Sequence, residues 1–453
     1  MGLVKTRGRL VALLAVSVAV LLPLSACSGN GSTGNTTPTN ANTPVATPTL
    51  DTSQKVTLDV AWSGSQDRTD RTLAAIKLFT TKYPNVTVNY ESTTSTNFWD
   101  KLTTEVAGGN APDIIQMSGQ TLKQYVDNGV LANIQQYVDN GLIDLTGWEQ
   151  PLLDSQTING VLYGIPPGVD THAIVLNVTK LNALGIALPP NNWTWTDYVN
   201  LCTEITQKAG SGYWGSAEGG PKYEYFQVFL AQRGKTLFTA DNKGLGFTAQ
   251  DVHDFWAQWG DLVTKGVVVP PDVQQENGAN PEGTGVVKGY AAMEWNTSSQ
   301  FTNFQSLTTD QLALMPYPYA DDGTPGQVWR AGLAWSITNN SKYPEWAAAL
   351  INFLVNDQGA ALAQGTTRGV PASPAVRSVV EAQSTAAEKL VFDNLTLVQG
   401  LQGSQITPVL PAGFSQFNSD FQRLYFSYVQ GQTTLDDSVS QFMTAAQSDV
   451  AAG

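Results

Sequence analysis

The chain has 453 residues, with 24 Lys and Arg against 38 Asp and Glu, only two Cys and only two His. Residues 1–26 hold three of the cationic residues and no acid, so the remainder carries a formal charge of −17, which argues against nucleic acid or an anionic lipid surface as a partner. Neither Cys lies in a CxxC or Cys/His spacing, so no metal site and no cofactor are expected.

The N-terminus has the order of a secretory signal: Lys5, Arg7 and Arg9, then an almost wholly apolar run from Leu10 to Leu24, then Leu24-Ser25-Ala26-Cys27. That run is too short for a membrane span, which needs roughly 20 residues. The small-small-Cys ending looks like a lipobox, so residues 1–26 are expected to be a lipoprotein signal peptide and Cys27 the lipidated new N-terminus, held to the outer face of the cell membrane by acyl chains. Residues 27–54 are rich in Ser, Thr, Asn, Gly and Pro and predict a disordered tether. With Cys27 lipidated, Cys202 has no disulfide partner and is expected to be a buried small hydrophobe.

Val56, Leu58, Val60 and Trp62 alternate with smaller or polar residues and predict a strand. Leu73, Ile76, Phe79 and Tyr83 recur at helical spacing before Pro84, and Val86, Val88 and Tyr90 predict a second strand. A helix marked by Phe98, Leu102 and Val106, a short strand at Asp113-Ile114-Ile115 and a helix ended by Gly129 follow. This alternation implies an α/β lobe with a largely parallel sheet. Gly164-Ile165-Pro166-Pro167-Gly168 predicts a crossing segment, followed by a strand from His172 to Asn177 and helices over Asp197–Lys208, Phe226–Gln232 and Ala249–Lys265. Further strands are expected at Ala291–Trp295 and Gly332–Thr338, and one long amphipathic helix from Glu345 to Ala363. About 400 residues beyond the tether are too many for one ordinary core, so two lobes are expected.

Catalytic templates fail. Gly234-Lys235-Thr236 ends like a phosphate-binding loop, but Phe229 stands where that loop needs its first Gly. There is no GxSxG elbow and no two-His zinc helix. A carboxylate pair for glycoside hydrolysis leaves no local signature, so a secreted carbohydrate-active enzyme stays open as an alternative.

From Val56 to Pro374 the order of segments resembles extracellular solute-binding protein family 1, which includes the maltose-type sugar-binding proteins of ABC importers. The matching stretches are VTLDVAW, YPNVTVNY, APDIIQMSGQTLKQYVDNGVLANI, GVLYGIPPGVDTHAIVLNVTKL, NNWTWTDY, GYAAMEWN and RAGLAWSITNNSKYPEWAAALINFLVNDQGAALA followed by RGVPASPAV. The resemblance implies a two-lobed periplasmic-binding-protein-like fold. Each lobe would be a mixed sheet flanked by helices, with 55–166 and 329–371 forming lobe one, 167–328 and 372–453 forming lobe two, and the ligand cleft between them. It also implies a monomer without enzymatic activity that captures a mono- or oligosaccharide by hinge closure and hands it to the transmembrane subunits of an ABC permease. Presentation of the ligand to a sensory receptor, or binding of a phosphorylated or non-sugar solute, would use the same fold.

Ligand clefts of such sheets lie at the carboxyl ends of strands. That rule selects Trp62, Ser63 and Gln66 after the first strand and Ser118 and Gln120 after the third. By matching to the family, Asp170 is a ligand-binding acid at the crossing and Tyr223 lies on an aromatic loop of lobe two, while Trp295, Asn296, Trp329, Arg330, Gly332 and Arg368 sit at segment ends near the crossings. Aromatic rings suit the C–H faces of a sugar, so replacing Trp62 or Trp295 is expected to weaken binding with little loss of stability. Gln120 stands where sugar-binding relatives often carry an acid. No cluster of cations is evident around these loops, so a neutral saccharide is expected; a phosphorylated one would draw on Arg330, Arg368 and Lys222.

Overall fold

Val56, Leu58, Val60 and Trp62 share one face of the first strand, β1 (Val56–Ser63), and pack towards the helix Pro344–Asn356; Ala61, on the other face, packs with Phe98 and Leu102 of the helix Ser95–Ala107. Helices therefore cover both faces, which is why the alternation gives way to continuous burial at the strand's end. The computed structural model describes residues 48–93, 95–277 and 281–451; the expected signal region, Cys27 and the expected tether up to residue 47 lie outside them. Within the described residues no helix is long and apolar enough to cross a membrane.

The lobe-one sheet has β1 between β2 (Val86–Thr93) and β3 (Ile114–Met117), both parallel to it, and a fourth strand late in the chain joins antiparallel beside β3. Between β1 and β2 runs the helix Gln66–Lys82, started by the Ser65 side chain, which accepts from the Arg68 N–H, and ended at Tyr83 by the following Pro84. After a small hairpin, β4 (Thr157–Ile158) with β5 (Val161–Leu162), the chain crosses at Ile165-Pro166-Pro167 into β6 (Gly168–Asn177).

β6 is the spine of lobe two, with all ten residues buried. β7 (Trp214–Ser216), β8 (Ala291–Thr297), β9 (Leu312–Met315) and β10 (Val328–Ala331) build the sheet around it. The register sets Arg330 opposite Asp170, Asn296 opposite Ala173 and Trp295 opposite Ile174. The chain then returns to lobe one as β11 (Ala334–Ile337), touches β6 again through β12 (Val370–Pro371), and adds β13 (Gln405–Ile406) beside β10. Phe226, Phe255, Trp256, Trp259, Phe421 and Phe442 fill an aromatic core in lobe two, in which Cys202 is also buried.

Several expected boundaries move. Because β10 pairs with β6 and β13, the return to lobe one comes at Gly332–Ala334 rather than at 329. The helix Pro374–Gln383, expected in lobe two, packs with Val376 and Val380 in the core shared with lobe one. Leu50, placed in the tether by composition, packs against the core that holds lobe one and lines a surface pocket with Tyr83, Leu142 and Phe353. The expected single helix Glu345–Ala363 is two helices, Pro344–Asn356 and Gln358–Gln364; Asp357 adopts an extended backbone between them, and its carboxylate caps the second by accepting from the Ala360 N–H at 3.0 Å.

Candidate ligand-binding site

The strand ends of the two sheets enclose a cavity of about 870 Å³. On the lobe-one side lie the ends of β1, β2 and β3: Ser63 and Gln66, then Tyr90 and Ser92, then Ser118 and Gln120. On the lobe-two side lie Asp170 and His172 of β6, Trp295 and Asn296 of β8, Tyr225, Tyr317 and Arg330. Gly332 and Arg368, on the two later crossings, close the back.

The crossings are packed too tightly for side chains. The Gly332 N–H donates to the Gly168 carbonyl at 2.8 Å. A Cβ on Gly332 would stand 2.7 Å from the Arg368 carbonyl oxygen, and one on Gly168 would overlap that same oxygen. Gly369 has φ +95°, and a Cβ there would overlap the Val169 carbonyl. Three chain segments thus meet at backbone-to-backbone distance beneath the cavity, at the place where the lobes join.

Ten of the thirteen expected ligand residues line this cavity: Ser63, Gln66, Ser118, Gln120, Asp170, Trp295, Asn296, Arg330, Gly332 and Arg368. Three do not. Trp62 is fully buried beneath Tyr90 and against Trp335, because it continues the core-facing parity of Val56, Leu58 and Val60. Trp329 is buried because its neighbour Arg330 takes the cavity-facing position on β10. Tyr223 is buried behind the wall, where its hydroxyl accepts from Gln120 Nε2 at 3.1 Å and joins the two lobes. Trp193 and Trp195 are also core residues.

Two of the lining residues have other commitments. Trp295 donates its indole N–H away from the cavity, to Tyr198 Oη at 3.1 Å and Ser216 Oγ at 3.0 Å, while its ring packs on Tyr225 and Tyr317. Asp170 accepts from the Thr171 N–H, from Ser298 Oγ and from the N–H and Oγ of Ser299, at 2.7–3.1 Å, and its second oxygen lies 3.8 Å from Arg330 Nη2. It caps the turn Ser298–Gln300 and holds Arg330.

The structure adds lining residues that the strand-end rule missed. Tyr90 is 53% exposed and lies on Trp62 with centroids 5.6 Å apart and planes at 22°, leaving its other face open. Arg68 enters from the helix Gln66–Lys82; a Cβ on Gly64 would sit 2.5 Å from its Cδ, so the glycine makes its room. His172 stacks on Tyr317, and burial, then Arg330, pulls its pKa down to about 3, so the imidazole is neutral across the physiological range. Arg330 is held fully charged: burial would depress it, but Asp170 and Glu224 outweigh that and raise its pKa. The expectation that no cations gather here is overturned, since Arg68, Arg330 and Arg368 all reach the cavity from segments far apart in sequence.

Residues 74–390 match the family described as bacterial extracellular solute-binding protein. The chain belongs to that family. This solute-binding protein is similar in structure to an extracellular solute-binding protein family 1 member from Alicyclobacillus acidocaldarius, with 28% identity, 88% of this chain and 99% of the other covered, and a TM-score of 0.64. It shares the fold of a periplasmic oligogalacturonide binding protein from Yersinia enterocolitica in complex with saturated digalacturonic acid (23% identity, 87% and 98% covered, TM-score 0.77). It also shares the fold of an ABC substrate-binding protein from Listeria monocytogenes in complex with cycloalternan (19% identity, 87% and 99% covered, TM-score 0.76). Among curated proteins it is 25% identical over 140 residues to an uncharacterized lipoprotein of Streptomyces antibioticus; the match spans 30% of this chain and 29% of that relative.

Proposed function

We propose that this solute-binding protein captures a carbohydrate between its lobes, without turning it over, and delivers it as a monomer to the transmembrane subunits of an ABC permease. The observation that carries the reading is the make-up of the cavity walls: hydroxyl and amide groups from strand ends interleaved with Tyr90, Tyr225, Trp295 and Tyr317. Sugars need both, since their hydroxyls require partners once desolvated and their C–H faces pack on rings. The relatives of the same fold that hold digalacturonic acid and cycloalternan support the class of ligand. Cys27 at the end of the signal sequence supports a lipid anchor, and the Streptomyces relative described as a lipoprotein agrees with it.

Binding works as hinge closure. A ligand that touches Tyr90 and Ser118 on one wall and Arg330 and Asn296 on the other favours the state in which both walls are within reach. The glycine crossings, free of side chains, are where the backbone turns, and the Gln120–Tyr223 hydrogen bond joins the lobes on closure. An enzymatic reading would have to rest on Glu224 and Glu282, since the Asp170 oxygens are already engaged by Thr171, Ser298, Ser299 and Arg330. Isothermal titration against a glycan panel should give one saccharide per chain, with contraction seen by small-angle scattering. Release of reducing ends by the purified protein would refute the reading.

A further inference from the structure

Arg68, Arg330 and Arg368 converge on the inner end of the cavity, and among the described residues Asp170 is the one carboxylate paired with any of them there. Arg68 donates through Nε and Nη2 to the Thr367 carbonyl at 2.9 and 2.6 Å, a neutral acceptor. Arg368 is only 5% exposed, donates through Nη2 to Thr72 Oγ1 at 2.9 Å and lies with its guanidinium carbon 4.5 Å from the Trp335 ring centroid. Among the described residues its Nε and Nη1 have no hydrogen-bond partner, and neither has Nε of Arg330. Burying a guanidinium without an anion is costly, and burying two side by side adds repulsion. Burial, then Arg68, pulls the Arg368 pKa well down, which states the same cost as a proton affinity.

The helix Gln66–Lys82 also starts at this end, and Gln66 in its first turn lines the cavity, so the positive end of a 17-residue helix adds to the field. Over the whole lining, Arg68, Lys222, Arg330 and Arg368 stand against Asp170, Glu224 and Glu282, with His172 neutral. The excess is a single positive charge, in a protein that is otherwise strongly acidic. We infer that the captured saccharide carries a carboxylate, as a uronic acid does, and that this group docks on Arg330 at the arginine end while the sugar ring lies towards Tyr90. One surplus charge suits a monoanion, and the guanidinium fork matches a planar carboxylate through two parallel hydrogen bonds. A phosphate dianion would exceed the surplus.

This inference rests on the carbohydrate reading and sharpens it. The test is titration of the full-length protein with matched pairs: glucuronate and glucose, galacturonate and galactose. In at least one pair the acid should bind about 30-fold or more tighter than its neutral partner, as a bidentate charged contact implies, and its affinity should fall with added salt. Arg330→Gln should reduce that ratio to below about threefold, and Arg330→Lys, which keeps the charge but not the fork, should leave an intermediate ratio. The double variant Arg330→Gln/Asp170→Asn, which removes both partners of the ion pair, should behave as Arg330→Gln does, separating lost recognition from an unpaired buried acid. Neutral sugars binding as tightly as their acids, or an unchanged ratio in Arg330→Gln, would overturn the charge assignment and leave carbohydrate capture standing. Failure of every saccharide to bind would overturn both.

Discussion

The two walls of the cleft are built differently. The lobe-two wall is a packed aromatic block: the Trp295 indole N–H donates to Tyr198 and Ser216, Tyr225 and Tyr317 close around the ring, and the Asp170–Arg330 pair is held by the Ser298–Ser299 turn. The lobe-one wall is more polar: Ser63, Ser92, Ser118, Gln66 and Gln120, Arg68 from the helix Gln66–Lys82, and Tyr90, half-exposed on the edge strand β2. The difference gives lobe two a fixed aromatic wall with one paired arginine, Arg330, and lobe one an open ring at Tyr90 beside Arg68 and Arg368.

That contrast can be broken by substitution. Trp295→Ala should have the largest effect: because the ring is buried in the lobe-two block, the expectation of little loss of stability is reversed, and the change should cost about 3–5 kcal/mol of stability as well as affinity; urea denaturation measures it, and a loss below about 1 kcal/mol would mean that the wall is not rigid. Gly369→Ala should come next, destabilising by about 1–3 kcal/mol and altering closure, since its φ is positive and its Cβ would meet the Val169 carbonyl. Scattering with and without ligand would show normal contraction if the crossings are not the hinge. Tyr90→Ala should lower affinity by about tenfold with a melting temperature nearly unchanged, the signature of a ligand platform outside the core. Gln120→Ala should be mildest, a loss of a few-fold in affinity from removing one interlobe hydrogen bond; no change would place closure elsewhere.

Much of this was legible in the sequence, and the misses have physical causes. Ser63, Gln66, Ser118 and Gln120 could be chosen because alternating strands and helices locate strand ends. Trp62 was misplaced although the strand pattern held the answer: a residue in phase with Val56, Leu58 and Val60 points into the core with them. The same parity separates Trp329 from Arg330. Tyr90 was hidden because its alternation suggested burial, whereas β2 is an edge strand on which only Val86 is buried. The arginine cluster had no local signature. Arg68 meets Thr367, and Arg368 meets Thr72, across nearly 300 residues of chain, and only the folded crossings bring them together.

Native mass spectrometry of the intact protein titrated with an acidic and neutral saccharide panel tests the central claim most directly. Capture between the lobes predicts a one-to-one complex whose ligand mass stays unchanged over hours. A protein that stays unliganded across the whole panel, or that converts the sugar to a product of different mass, would contradict it.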